Sequence, residues 1–142
     1  MNFSEYQKRA SAHFKEHENL KDEVCDWVIG LSEEAGEVAS VVKHYYYGGE
    51  RLKPEELAKE IGDVLWYLSA LCTTLGIKFD TVAELNVAKL QHRYGDCFTI
   101  EGSRNRHENE LDFKDTEEYK NIIKGMLLEK QGGMVYENKK EL

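Results

Sequence analysis

Glu34-Ala35-Gly36-Glu37 and, after a spacer of 22 residues, Glu60-Ile61-Gly62-Asp63 share one pattern, acid-x-Gly-acid, and both lie inside apolar sequence of helical period. At about 100° per residue, Val24, Trp27, Val28, Leu31, Ala35, Val38, Val41, Val42 and Tyr45 fall on one broad stripe, and Glu34 projects from within it. Glu37 lies about 60° away, at its edge. The second segment repeats the arrangement. Leu57, Ile61, Val64, Leu65, Tyr67, Leu68, Leu71, Cys72 and Leu75 form its stripe, with Glu60 inside and Asp63 at the edge. Two helices are therefore expected to present matched carboxylate pairs toward one core.

Such acids are either solvated or held in place by something of opposite charge. A carboxylate in an apolar stripe is costly to bury unless it is paired or binds a metal, and several together repel one another. A hard divalent cation removes both penalties, and oxygen-only ligands suit magnesium, calcium or manganese. No Glu-x-x-His occurs anywhere in the chain, which argues against a di-iron carboxylate bundle. Gly36 and Gly62 each cost about 1 kcal/mol relative to alanine in mid-helix, a loss that close helix approach would offset.

The 142 residues, 41% hydrophobic and 32% charged, suit one globular domain with a real core. A formal charge of −8 argues against general nucleic-acid binding. Cys25, Cys72 and Cys97 are odd in number and widely spaced, so neither a zinc site nor a disulfide framework is expected, and Cys25 and Cys72 read as small apolar residues. The N-terminus lacks the blocks of a signal peptide, and no apolar run approaches the ~18 residues that span a bilayer. A reducing cytoplasm, with no membrane partner, is the expected setting.

Along the chain, Phe3, Tyr6, Ala10 and Phe14 predict a first helix over 2–18, with Ser4 capping an early turn. His13 and His17 lie a turn apart on it; with nothing nearby to complete a zinc-type ligand set, they read as surface histidines. A second helix runs from about Asp22 to Tyr47. Gly48-Gly49 stops it, and Pro54 opens a third that ends near Leu75-Gly76. So short a connection favours antiparallel neighbours, bringing Glu34 and Glu37 toward Glu60 and Asp63. Tyr45-Tyr46-Tyr47 either frames a cleft or packs at the helix end, and packing is favoured. Asp80 or Thr81 is the expected cap of a fourth helix running to Tyr94-Gly95. On it Asn86, Lys89 and Arg93 fall within about 60°, beside the apolar stripe. They either snorkel from a core edge or, with a carboxylate metal site in the same core, hold phosphates. Beyond Phe98 the composition turns polar. Residues 116–130 predict a last helix able to dock on a subunit surface, followed from Gln131 by a charged tail.

Three runs together resemble the MazG-like nucleoside triphosphate pyrophosphohydrolases of the all-α NTP pyrophosphatase superfamily. They are Leu31-Ser32-Glu33-Glu34-Ala35-Gly36-Glu37, Glu60-Ile61-Gly62-Asp63-Val64-Leu65-Trp66-Tyr67, and Asn86-x-x-Lys89-Leu90-x-x-Arg93-Tyr94-Gly95. The likeness covers about residues 3–106, leaving 107–142 as a charged extension of one helix and a tail. It implies an all-α antiparallel bundle of four to five helices, packed as a homodimer or homotetramer. It also implies magnesium-dependent hydrolysis of a nucleoside triphosphate between the α and β phosphates, with manganese as a substitute ion. By position, Glu34, Glu37, Glu60 and Asp63 would hold metal, and Glu33 and Glu34 would be catalytic, Glu33 completing the metal shell or activating the attacking water. Asn86, Lys89 and Arg93 would hold phosphates. Trp66, off the main stripe of its helix, is expected at a contact surface, with base stacking by Trp66 or Trp27 as the alternative.

Two other functions share part of this pattern: a phosphoribosyl-ATP pyrophosphohydrolase, and a non-catalytic helical interaction module that keeps metal-binding acids for stability. The glycines of both quartets and the Asn86/Lys89/Arg93 helix favour the MazG-like reading over the first. That every expected catalytic position is acidic weighs against the second.

Overall fold

The structure, a computed structural model, describes residues 1–127, and among these the secondary structure is helical. The helices are α1 (Phe3–Ala10), α2 (Leu20–Gly48), α3 (Pro54–Thr74), α4 (Phe79–Tyr94), α5 (Ile100–Arg104), α6 (Arg106–Asp115) and α7 (Glu117–Gly125), with a 3-10 turn at Ser11–His13. No strand forms among the described residues. An isolated antiparallel bridge joins Ile77 to Leu127. The all-α expectation holds, and the described residues form seven helices where four to five were expected. The chain forms two compact units, Met1 with Glu5–Leu75, and Asn2–Ser4 with the described residues from Gly76 on.

In the first unit the expected hairpin of α2 and α3 forms. The Asn19 side chain accepts from the Asp22 backbone N–H at 2.9 Å and opens α2. Gly49, at φ 68°, closes it in the left-handed conformation glycine tolerates. Pro54 stands in the first turn of α3. Trp27, 1% exposed, fixes the register: its indole N–H donates to Thr74 Oγ1 at 3.0 Å, and that hydroxyl donates to Glu23 Oε1 at 2.7 Å. The beginning of α2 is thereby tied to the end of α3.

Several expectations change. The first helix stops at Ala10 rather than reaching residue 18, because Phe14 is extended (φ −76°, ψ 139°). Its ring then packs against Trp27 at 5.6 Å and Trp66 at 5.3 Å, so tertiary contact rather than helical continuation satisfies the apolar spacing. His17 is not a surface histidine. It is half-buried, edge-on against Trp27, with Nε2 3.0 Å from Asp26 Oδ2, a carboxyl held below its usual range mainly by Lys15. Trp66 packs in the same aromatic group rather than standing exposed, and of the two cysteines read as small apolar residues Cys72 is buried and Cys25 exposed. The apolar stripes are not fully covered either: Val28, Val42, Ile61 and Leu68 remain exposed. Periodicity reports which face is apolar, not what lies over it.

In the second unit neither Asp80 nor Thr81 caps α4; the cap position is Lys78, with no side-chain bond. Asp80 instead accepts from the Ser4 backbone N–H at 3.1 Å and from the Ser4 hydroxyl, so Ser4 caps no turn of its own. Helices α5 and α6 had no signal in apolar spacing. Thr99 caps α5 through the Gly102 N–H at 3.1 Å, and Gly102 has no room for a Cβ, which would come 2.5 Å from the Arg93 carbonyl oxygen. From α6, Phe113, 2% exposed, packs with Ala88 of α4 and Ile122 of α7. The expected helix over 116–130 is α7, shorter at both ends. Residues 128–130 and the expected tail lie outside the described residues.

Candidate active site

The register set by Trp27 and Thr74 places the middle of α2 against the first turns of α3. One carboxylate oxygen each from Glu34, Glu37 and Glu60 lies within 4.8 Å of the other two. Glu34 carries the electrostatic consequence. Its carboxyl is pushed above the usual range, first by burial and then by the charges of Asp63, Glu37, Glu33 and Glu60. All five acids named from the sequence therefore act on one locus. Among the described residues none of the five forms an ion pair.

Two phenols border this group. The Tyr67 hydroxyl is pushed up by burial and then by Glu34, and that of Tyr6 by burial and then by Asp63, so both stay protonated as donors. The sequence placed both on apolar stripes and named neither as a site residue. Tyr67, one turn beyond Asp63 on α3, was within reach of a spacing argument. Tyr6 comes from another element, and no spacing signals it.

The glycines of the quartets do not serve close helix approach, as had been expected: a Cβ at Gly36 or Gly62 would meet nothing within 4 Å. That role belongs to Gly30, one turn before Glu34, where a Cβ would collide with the Tyr67 ring. A bare backbone there lets the Tyr67 ring of α3 approach α2 closely, one turn before Glu34.

A cavity of about 340 Å³ adjoins the cluster and shares Glu37 and Glu60 with it. Ser40, His44, Tyr45 and Arg51 also line it. Lys53, also in its wall, is held between Glu50 (3.6 Å) and Glu56 (3.3 Å), whereas Arg51 forms no ion pair among the described residues. Tyr45 is thus part of a cleft wall, while Tyr46 and Tyr47 pack against each other with ring centroids 5.2 Å apart.

The donor set fits a hard divalent cation. All three donors are carboxylate oxygens, and their mutual spacing matches coordination at roughly 2.0–2.6 Å, which puts opposite ligands about 4–5 Å apart. Asp63 lies outside this trio but within electrostatic reach of Glu34.

The candidate phosphate residues belong to the second unit. Asn86 and Lys89 line one cavity. Arg93 does not join them: its guanidinium carbon lies 5.6 Å from the Tyr94 ring centroid, and its Nε is buried without a hydrogen-bond partner among the described residues.

Comparison with known proteins agrees with this chemistry. A family model described as the MazG nucleotide pyrophosphohydrolase domain matches residues 27–98. The "Gene 37 protein" of Mycobacterium phage L5 is 38% identical over 90 residues, which is 56% of this chain and 78% of the phage protein. No solved structure matches significantly.

Proposed function

The chain belongs to the MazG nucleotide pyrophosphohydrolase family, and from that premise we propose that it hydrolyses nucleoside triphosphates at the α–β bond with magnesium. Water adds to the α phosphorus and the bond to the bridging oxygen breaks, giving nucleoside monophosphate and pyrophosphate. Glu34, Glu37 and Glu60 would hold the ion, with Asp63 completing the set. Bound there, magnesium or manganese would supply charge neutralisation and a Lewis acid. Glu33, about 100° round α2 from Glu34, orients the attacking water and accepts its proton. Asn86 and Lys89 hold phosphate oxygens by hydrogen bonds and charge; Arg93 joins them only if its side chain turns from Tyr94. Phosphoryl chemistry asks for positioning and charge compensation more than a covalent nucleophile, and no nucleophile is required of this site.

The observation that carries this reading is the approach of three carboxylates within 4.8 Å in a chain of this family. Product analysis tests it: the purified protein is given a panel of ribo- and deoxyribonucleoside triphosphates, with magnesium and with chelator. Monophosphate and pyrophosphate formed only with metal is the expected result. No turnover across the panel overturns it.

The exposed apolar side chains support assembly as a homodimer or homotetramer. Ile29 (68% exposed), Ile61 (52%) and Val28 (46%) leave the α2/α3 hairpin with an apolar surface that a second copy would bury. Light scattering coupled to size exclusion checks this, and a monomer at micromolar concentration counts against it.

A further inference from the structure

Residues beyond the family match fold back onto α4. Thr116 accepts from the Tyr119 backbone N–H at 3.1 Å and starts α7 immediately after α6 ends, while Phe113 anchors α6 against Ala88. Tyr119 then meets Phe113 edge to face at 5.4 Å. The result is a cavity of about 400 Å³ whose walls are α4, α6 and α7. Asn86 and Lys89 enter it from α4; Lys114, Glu110 and Tyr119 enter from the other two helices.

Its chemistry is distinct from that of the acid cluster. Neither Lys89 nor Lys114 forms an ion pair among the described residues, and with Glu110 as the only carboxylate in the wall the cavity has a positive charge in excess. Two ammonium groups beside the Asn86 amide suit phosphate oxygens. Leu85, Phe113 and Tyr119 add an apolar and aromatic floor that phosphate alone would not use. The volume is that of a small-molecule site, roughly 300–1,000 Å³. The ligand class that satisfies both parts is a nucleotide, with phosphates on the lysines and an aromatic base on Tyr119.

We propose that α6 and α7 complete a nucleotide-binding cavity on α4, with Lys114 and Tyr119 as substrate contacts beside Asn86 and Lys89. This rests on the nucleotide reading above and extends it to residues outside 27–98.

Calorimetric titration of the full chain, with magnesium, uses two probes: tripolyphosphate, and α,β-methylene analogues of the nucleoside triphosphates, which cannot be cleaved at the α–β position. Lys114→Gln is expected to weaken both about tenfold, the loss of one charged hydrogen bond. Tyr119→Leu is expected to weaken the analogues about tenfold through lost stacking and to leave tripolyphosphate unchanged. Lys120→Gln, whose lysine is tied to Glu117 at 3.0 Å outside the cavity, should change neither. Equal affinity of Lys114→Gln and wild type, or no binding of either probe by wild type, overturns the proposal. The hydrolase reading fails separately: if wild type turns over nucleotide while Lys114→Gln binds normally, the cavity is wrong and the hydrolase stands. Lys114-dependent binding without any turnover keeps the cavity and removes the hydrolase.

Discussion

Among the described residues, Glu33, Glu34, Glu37, Glu60 and Asp63 of the first unit converge without an ion pair, whereas in the second Lys89 and Lys114 share a cavity with Glu110 alone against them. The contrast is instructive because the acids stand close enough to repel one another, whereas elsewhere some surface charges are matched: Arg9 pairs with Glu5, Lys15 with Asp26, and Lys53 with Glu50 and Glu56. Where like charges are gathered instead, folding stability alone gives no reason for the arrangement. A bound cation in one unit and a bound anion in the other would supply it.

The largest effect expected is on the acid side. Glu37→Gln should lower turnover by at least about a hundredfold, as loss of a metal-site carboxylate does, with the helical circular dichroism unchanged. Activity near wild type would dissolve the contrast by removing the metal site. Next, Gly30→Ala should cost about 1–3 kcal/mol in urea unfolding, an overpacking penalty, because its methyl group meets the Tyr67 ring. An unchanged midpoint would mean that the hairpin does not depend on this contact.

On the basic side, Lys89→Ala should weaken nucleotide binding about tenfold and leave divalent-metal affinity as it was. The reverse order would misplace the phosphates. Glu34→Gln sharpens the comparison through pH. The folded chain holds the Glu34 proton more tightly than the unfolded chain does, since burial and then neighbouring charges raise its pKa. Stability of the metal-free protein therefore falls as pH rises from the ordinary carboxylate range through the raised pKa. The variant should melt higher at neutral pH without metal, by about 2–4 °C per kcal/mol of repulsion relieved, and added magnesium should raise the wild type more than the variant. Least of all, Gly36→Ala should stabilise by up to about 1 kcal/mol, the helix-propensity difference, since a Cβ there meets nothing. A loss instead would point to a partner over that face.

Much of the hairpin was legible because its signals are local. Gly49 and Pro54 bound the turn, and period 3.6 made the helices. The acids stood out by interrupting that period. Helices α5 and α6 were not legible, as they rest on the Thr99 cap, the packing of Gly102 and one anchor, Phe113, none of which repeats along the chain. Arg51 and Tyr6 beside the acids, and Lys114 beside Lys89, were equally silent, being single polar or aromatic residues on elements distant in sequence.

The sequence by itself determined that the chain is helical and which carboxylates are out of place in an apolar stripe, because both follow from composition and spacing within about four turns. Only the tertiary structure decided that Gly30 rather than Gly36 is the point of close approach, that Trp66 and His17 are packed inward, and that Lys114 reaches the cavity of Lys89. Each of these depends on which surfaces meet, and a helix of given periodicity can offer the same face to many partners.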